Sequence, residues 1–288
     1  MADAATAASK TGKNDDNVIF GANQTEVERL DMQHKVVYDA MPQQVQAPID
    51  FSKSGLRILD QATGSGIWIR DLRATSSGSH TWVGTDIEDS YFPSDPPSDT
   101  SYHHQSMTEP WPTEWKGTFD LVHSRMALPG VGTNPLEATV KGLVELVKPG
   151  GYIQFVEMDW NEWEAGPAGQ AFHDAVYDLF TVVSAGQGVD ILDKLIPMLK
   201  DAGLEDVQYK KFPIPFGKNA SDKVREISRK SLYATAMGVS MTTKILPAAA
   251  LRLSREELDA LPDKLAKEID ERGFTMTLFS LWGRKPEN

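Results

Sequence analysis

The chain contains no cysteine. That excludes disulfide bonds, thiolate nucleophiles and thiolate metal sites. It is compatible with a cytosolic setting without proving one. No run reaches the ~18 apolar residues of a membrane-spanning helix. Residues 1–17 are rich in Ala, Ser, Thr, Lys and Asp and hold no apolar core of signal-peptide length. Positive charge is scarce as well: 29 Lys and Arg stand against 41 Asp and Glu, a net charge of −12. Binding to a nucleic-acid backbone calls for a basic face. The one basic concentration, Lys210, Lys211 and Lys218 followed by Lys223, Arg225, Arg229 and Lys230, reads as a solvated helix face. No H-E-x-x-H motif or carboxylate cluster is present, and His103 and His104 fall on opposite faces of an expected strand, so no metal is expected. From these absences a cytoplasmic protein is expected, with no direct binding to nucleic acid and none to membrane.

What is present is ordinary globular composition, 40% hydrophobic and 24% charged over 288 residues. A chain of this size suits one large domain or a domain with a cap. It is long enough to bury roughly three quarters of its unfolded surface without staples.

The stretch from Leu56 to Trp68 organises the rest. Leu56, Ile58 and Leu59 form a brief apolar burst, which reads as a buried strand. The burst stops at Asp60, and small residues follow: Ala62, Thr63, Gly64, Ser65 and Gly66. Glycine there permits positive φ and close approach of a ligand. A helix is expected from about Ile67, giving the strand, loop and helix of a nucleotide-binding βα turn. The dinucleotide pattern G-x-G-x-x-G would put its third glycine at Ile69, where a bulky residue argues against close pyrophosphate packing. The spacing acid-x-small-x-Gly-x-Gly fits instead, through Asp60, Ala62, Gly64 and Gly66. An acid at the strand end repels a phosphate and welcomes an ammonium. S-adenosylmethionine carries an ammonium and a sulfonium but no phosphate.

Along the chain, residues 1–18 read as a disordered tail. A helix is expected over about 24–41, carrying Glu26, Arg29, Gln33 and His34, and ended by Pro42 and Pro48. A second strand over 82–86 ends in Asp86, 26 residues after Asp60, where an acid can take both hydroxyls of a ribose. A third strand over 102–105 leads to Ser106-Met107-Thr108. Trp111 and Trp115 are expected to pack, with adenine stacking as the alternative. A fourth strand over 119–122 leads to His123-Ser124-Arg125. A helix over 135–147, stopped by Pro149-Gly150, precedes a fifth strand over 152–156 that ends at Glu157. The alternation predicts an α/β fold with a mostly parallel sheet and helices on both faces. Beyond Met158 the pattern breaks: a loop through Trp160 and Trp163, helices around 172–180, 191–202, 222–236 and 255–271, a sixth strand over 207–215, and a last strand over 274–282 that suits an added edge strand.

With these pieces placed, the chain resembles class I S-adenosylmethionine-dependent methyltransferases over roughly residues 27–284. Five segments, Glu28 to His34, Ile58 to Trp68, Gly84 to Asp86, Phe119 to Arg125 and Leu146 to Tyr152, resemble the fungal methyltransferases of secondary metabolism, a group that includes the LaeA-type regulators. The resemblance implies a Rossmann-like seven-stranded sheet with its final strand antiparallel. It implies one methyltransferase domain over 19–288, with a lid helix at about 24–41, a cofactor core at about 55–157 and acceptor-pocket insertions at about 158–188 and 219–272. It implies that Asp60, Gln61, Ala62, Thr63, Gly64 and Gly66 hold the methionine end of S-adenosylmethionine. Asp86 takes the ribose, Ile87 lies against the adenine, and Ser106 and Met107 read its edge. His123 and Arg125 stand at the reaction end, and Arg29, Gln33 and His34 belong to the lid. Ala62 departs from the usual glycine; its methyl is expected to be tolerated, since alanine adopts most loop conformations.

The expected reaction is methyl transfer to an O or N atom of a small-molecule secondary metabolite, by in-line displacement from the sulfonium. Positioning alone lowers such a barrier by about 7–11 kcal/mol. A neutral acceptor also benefits from a base, for which His34, His123, Glu157, Asp159 and His173 are the candidates and His123 the first choice. Trp160 and Trp163 are candidates for lining the acceptor pocket or for the core. Two other readings stand beside this one. The first is a LaeA-like regulator acting through protein partners, with a nuclear location. The second is an enzyme using the bound cofactor for a dehydration or cyclisation. The sequence leaves the acceptor and the oligomeric state open.

Overall fold

The structure, a computed structural model, describes residues 24–287. The expected tail at residues 1–18 lies outside them. Seven strands form one sheet: β1 (Arg57–Gln61), β2 (Thr81–Asp86), β3 (Thr100–His104), β4 (Phe119–Arg125), β5 (Val147–Glu164), β6 (Glu205–Phe216) and β7 (Phe274–Arg284). Their order is β3-β2-β1-β4-β5-β7-β6. The first five are parallel, and β7 runs antiparallel to both of its neighbours. The helices are α1 (Gln24–Ala40), α2 (Ile67–Thr75), α3 (Leu136–Leu146), α4 (Pro167–Val183), α5 (Ile191–Asp201), α6 (Arg225–Thr243) and α7 (Arg255–Glu271). Among the described residues no helix is long and apolar enough to cross a membrane.

Alternation along β7 shows how the layers form. Met276 and Leu278 pack into a cluster with α1, α4, α6 and α7, whereas Phe279 and Leu281 pack with α3 and α5. Successive side chains of a strand point to opposite faces, so one strand serves both helical layers. The central strands accordingly read as continuous apolar runs: Ile58, Leu59, Leu121 and Val122 are fully buried. Each such side chain contributes about 1.5–3 kcal/mol through burial.

Two expectations require correction. β7 is not an edge strand. It lies between β5 and β6, buried on both faces, and the edge belongs to β6. β6 carries the signs of an edge in its exposed Lys210 and its two prolines, Pro213 and Pro215. The chain after Met158 is not a loop either: β5 continues to Glu164, through a register shift between Asp159 and Glu164. Lys211 of β6 holds this extension, meeting Asp159 at 2.6 Å and Glu162 at 2.7 Å.

Candidate active site

The βα turn forms as the glycine spacing requires. Gly64 and Gly66 adopt φ of 54° and 72°, and Gly66 caps α2. A Cβ at Gly66 would collide with the Tyr102 ring, and one at Gly64 would come within 3.1 Å of Leu30 on α1. Gly66 is therefore demanded by packing beneath the loop, and it does not line the cavity described below. Ala62 also stands in the left-handed region, at φ 54°. Alanine does adopt the loop conformation there, one that costs an L-residue about 1–2 kcal/mol relative to glycine.

The acid at the end of β1 is fixed by its neighbours in the sheet. Asp60 pairs in register with His123 on β4. His123 Nδ1 donates to Asp60 Oδ1 at 2.7 Å, and Thr63 Oγ1 donates to Oδ2 at 2.7 Å. One residue on, Ser124 donates to Gln61 Oε1 at 2.7 Å. At the end of β2, Asp86 Oδ2 accepts from the Gly64 N–H at 2.8 Å and Oδ1 from the Glu88 N–H at 3.0 Å. Both carboxylates are thus oriented before any ligand arrives. Burial raises the Asp86 pKa above its ordinary value, against the pull of those N–H groups.

These residues border a cavity of about 260 Å³. On one side lie Asp60, Gln61, Ala62, Thr63, Gly64, Asp86, Ile87, Met107 and Arg125. α1 crosses over them and contributes Arg29, Leu30 and Gln33. Several bonds fasten this helix. Asp31 accepts from Ser65 at 2.6 Å, His34 Nε2 donates to Asp71 at 2.9 Å, and Arg29 donates to Thr235 of α6 at 3.3 Å. The far side is mostly apolar, built from Phe172, Val176 and Phe180 of α4, Met276 of β7, and α6, where Leu232 and Val239 stand beside Ser231 and Thr235.

Of the five candidate bases only Glu157 borders this cavity. His123 is fully buried, with its ring stacked on Trp68 at 3.9 Å and its Nδ1 engaged by Asp60. It is corrected from a base at the reaction end to a group that orients Asp60. His34 lies behind the wall: its Nδ1 accepts from Arg125 at 3.1 Å while Nε2 donates to Asp71, so it is neutral. Burial and then the Arg125 guanidinium bring its pKa down to about 2. Asp159 is paired with Lys211, and His173 packs on Trp163 with Nε2 on the Trp160 carbonyl. Ser106 is buried below the surface, bonded to Thr108 at 3.0 Å, and only Met107 of that pair reaches the cavity. Trp160 and Trp163 are packed among rings of α4 and do not line the cavity; neither do Trp111 and Trp115.

The cavity wall carries five acids, Glu26, Asp60, Asp86, Glu88 and Glu157, against two cations, Arg29 and Arg125. Arg29 is ion-paired with Glu26 at 2.7 Å, and Arg125 is turned to His34. Such a wall favours a cationic ligand. Residues 32–209 match the family model described as a methyltransferase domain. The chain belongs to that methyltransferase family. It is 34% identical over 278 residues to the N-methyltransferase sirN of Leptosphaeria maculans, covering 94% of this chain and 95% of that one. It is 33% identical over 242 residues to the methyltransferase psoC of Aspergillus fumigatus, covering 84% and 87%. A crystal structure from an antibiotic biosynthesis pathway of Anabaena variabilis, described as a candidate methyltransferase, superposes with a TM-score of 0.51 at 12% identity, covering 90% of this chain and 99% of that one. That last likeness shows the fold alone.

The protein is an S-adenosylmethionine-dependent methyltransferase. Its residues fit that cofactor. The acidic wall suits a sulfonium and an ammonium, and Asp86, held by two backbone N–H groups, borders the same cavity.

Proposed function

We propose that this methyltransferase methylates a nitrogen atom of an apolar small-molecule secondary metabolite. The observation that carries the reading is the division of the cavity into a polar side and an apolar side. The name of the relative sirN, an N-methyltransferase that aligns along nearly the whole chain, supports nitrogen over oxygen.

When bound, the cofactor supplies a methyl group already activated by its sulfonium. The chain's work is to place and enclose. Asp60, oriented by His123 and Thr63, would hold the ammonium. Asp86 would take the ribose hydroxyls, Ile87 would lie against the adenine and Met107 would meet its edge. α1 would close over the site through Arg29 and Gln33, excluding water. The acceptor would sit on the apolar side, between Phe172 and Phe180 of the segment at 158–188, Leu232 of the segment at 219–272, and Met276 of β7. Holding the two partners in line supplies about 7–11 kcal/mol of barrier lowering.

The test is transfer of labelled methyl from S-adenosylmethionine to a panel of apolar aromatic amines, amides and phenols, with the new bond located by NMR. N-methyl products are expected. Exclusively O-methyl products, or transfer to none of the panel, would sink the reading.

A further inference from the structure

We propose that Glu157 is the group that accepts the proton of the acceptor nitrogen during methyl transfer. The inference rests on the N-methylation reading above and concerns a side chain whose two oxygens are used differently. Glu157 lies on β5 with 1% of its surface exposed, and it borders the cavity. Its Oε1 accepts from the backbone N–H groups of Ala127 and Leu128, at 2.9 and 3.0 Å. Its Oε2 has no hydrogen-bond partner among the described residues. Buried carboxylate oxygens are normally satisfied, so an orphan beside a cavity marks a place for a ligand's donor.

The anchoring is firm. Ala127 and Leu128 follow Met126, which leaves β4 at φ 49° with its N–H on the Val156 carbonyl at 2.8 Å. The turn fixes the carboxyl plane, and the free oxygen is held with it. Met126, Met158, Phe172 and Val176 line the same cavity and offer neither charge nor hydrogen bonds. Burial pushes the Glu157 carboxyl up to about 7, against the two N–H groups. A base serves best when its pKa lies near the working pH. In the step, the acceptor nitrogen's lone pair forms the N–CH3 bond as the S–CH3 bond breaks. The bonding pair stays on sulfur, and the N–H proton passes to Glu157 Oε2. The reaction balances without another reactant, and the proton leaves to solvent when product departs.

A plain loop-anchoring role makes a different prediction, and Glu157→Gln separates the two. The amide oxygen still accepts from Ala127 and Leu128, but the side chain takes no proton. The experiment uses the full chain and the best nitrogen acceptor from the panel above. Expected are a loss of single-turnover rate of about 100-fold or more, an S-adenosylhomocysteine Kd within about threefold of wild type, and disappearance of an ionisation near pH 7 from the rate profile. A rate within about threefold of wild type, or a profile that keeps this ionisation, would overturn the proposal and leave Glu157 as an anchor.

A second readout needs no acceptor. The folded pKa lies above the ordinary 4.5, so the protonated form is favoured on folding and stability is lost as pH rises from about 4.5 to 7. Thermal unfolding of Glu157→Gln should therefore gain on wild type across that window and stay level above it. A constant difference between the two proteins would mean that Glu157 does not titrate there, and would equally overturn the proposal. If wild type forms only O-methyl products, the N-methylation reading fails, and the unfolding comparison still decides whether Glu157 changes charge.

Discussion

The two sides of the cavity are built on opposite principles. On the polar side, position comes from backbone and short polar contacts: Asp86 between the N–H groups of Gly64 and Glu88, Asp60 between His123 and Thr63. On the side proposed for the acceptor, it comes mainly from packing, with Phe172, Val176 and Phe180 buried to within 8% exposure while they line the cavity. Directional contacts fix one ligand closely. An apolar wall selects by volume and leaves orientation to one or two polar groups. The first side suits a cofactor that never changes, and the second suits an acceptor set by side-chain size.

If the two sides are independent, substitutions should separate them. The largest effect is expected for Asp86→Ala. Two hydrogen bonds to a charged group, at about 1.5–3 kcal/mol each, are worth about 100-fold or more in affinity. Calorimetric titration with S-adenosylhomocysteine should show that loss. Binding within about threefold of wild type would remove Asp86 from the site. Next is Val176→Phe, which adds a ring to the apolar wall. Overpacking and lost volume of about 1–3 kcal/mol should lower kcat/KM for the acceptor about ten- to hundredfold while S-adenosylhomocysteine affinity holds. Equal losses in both would show that the cavity is one coupled site.

The same division explains what the sequence disclosed. Gly64 was legible because a turn with φ of 54° favours glycine, and Asp60 and Asp86 because each is an acid at or next to the C-terminal end of a parallel strand. The apolar wall was not, because Phe172, Val176 and Phe180 occupy α4 with the same periodicity that any core-facing helix shows. His123 drew attention as a histidine ending a strand, yet the register that pairs it with Asp60 turns it into that residue's support. The extension of β5 was hidden by its polar residues, which Lys211 satisfies from β6, a strand some fifty residues away in the chain. The place of β7 was hidden because edge and insertion are both open to a strand that arrives last; its apolar residues on both faces are what an inserted strand needs.

Between the two sides stands α1, which tests whether enclosure belongs to the cofactor or the acceptor. Arg29→Ala removes the bond to Thr235 and the ion pair with Glu26. Loss of about 1 kcal/mol of lid closure should raise the S-adenosylhomocysteine Kd about fivefold, chiefly through faster dissociation in stopped flow. An unchanged dissociation rate would assign the helix to the acceptor.

The smallest effect concerns the strain on the cofactor side. Ala62 holds φ 54°, a conformation glycine adopts freely. Ala62→Gly relieves about 1–2 kcal/mol of folded-state strain but returns about 0.4–1 kcal/mol to the unfolded chain's freedom. The net is a stabilisation of about 0.5 kcal/mol, on the order of 1–2 °C in Tm for a domain of this size. Differential scanning calorimetry resolves that shift. A lower Tm would mean that the methyl packs against neighbours closely enough to repay its backbone, and that the loop was fitted to alanine. A higher Tm with unchanged S-adenosylhomocysteine affinity would place the whole cost of Ala62 in the fold and none in the cofactor contact.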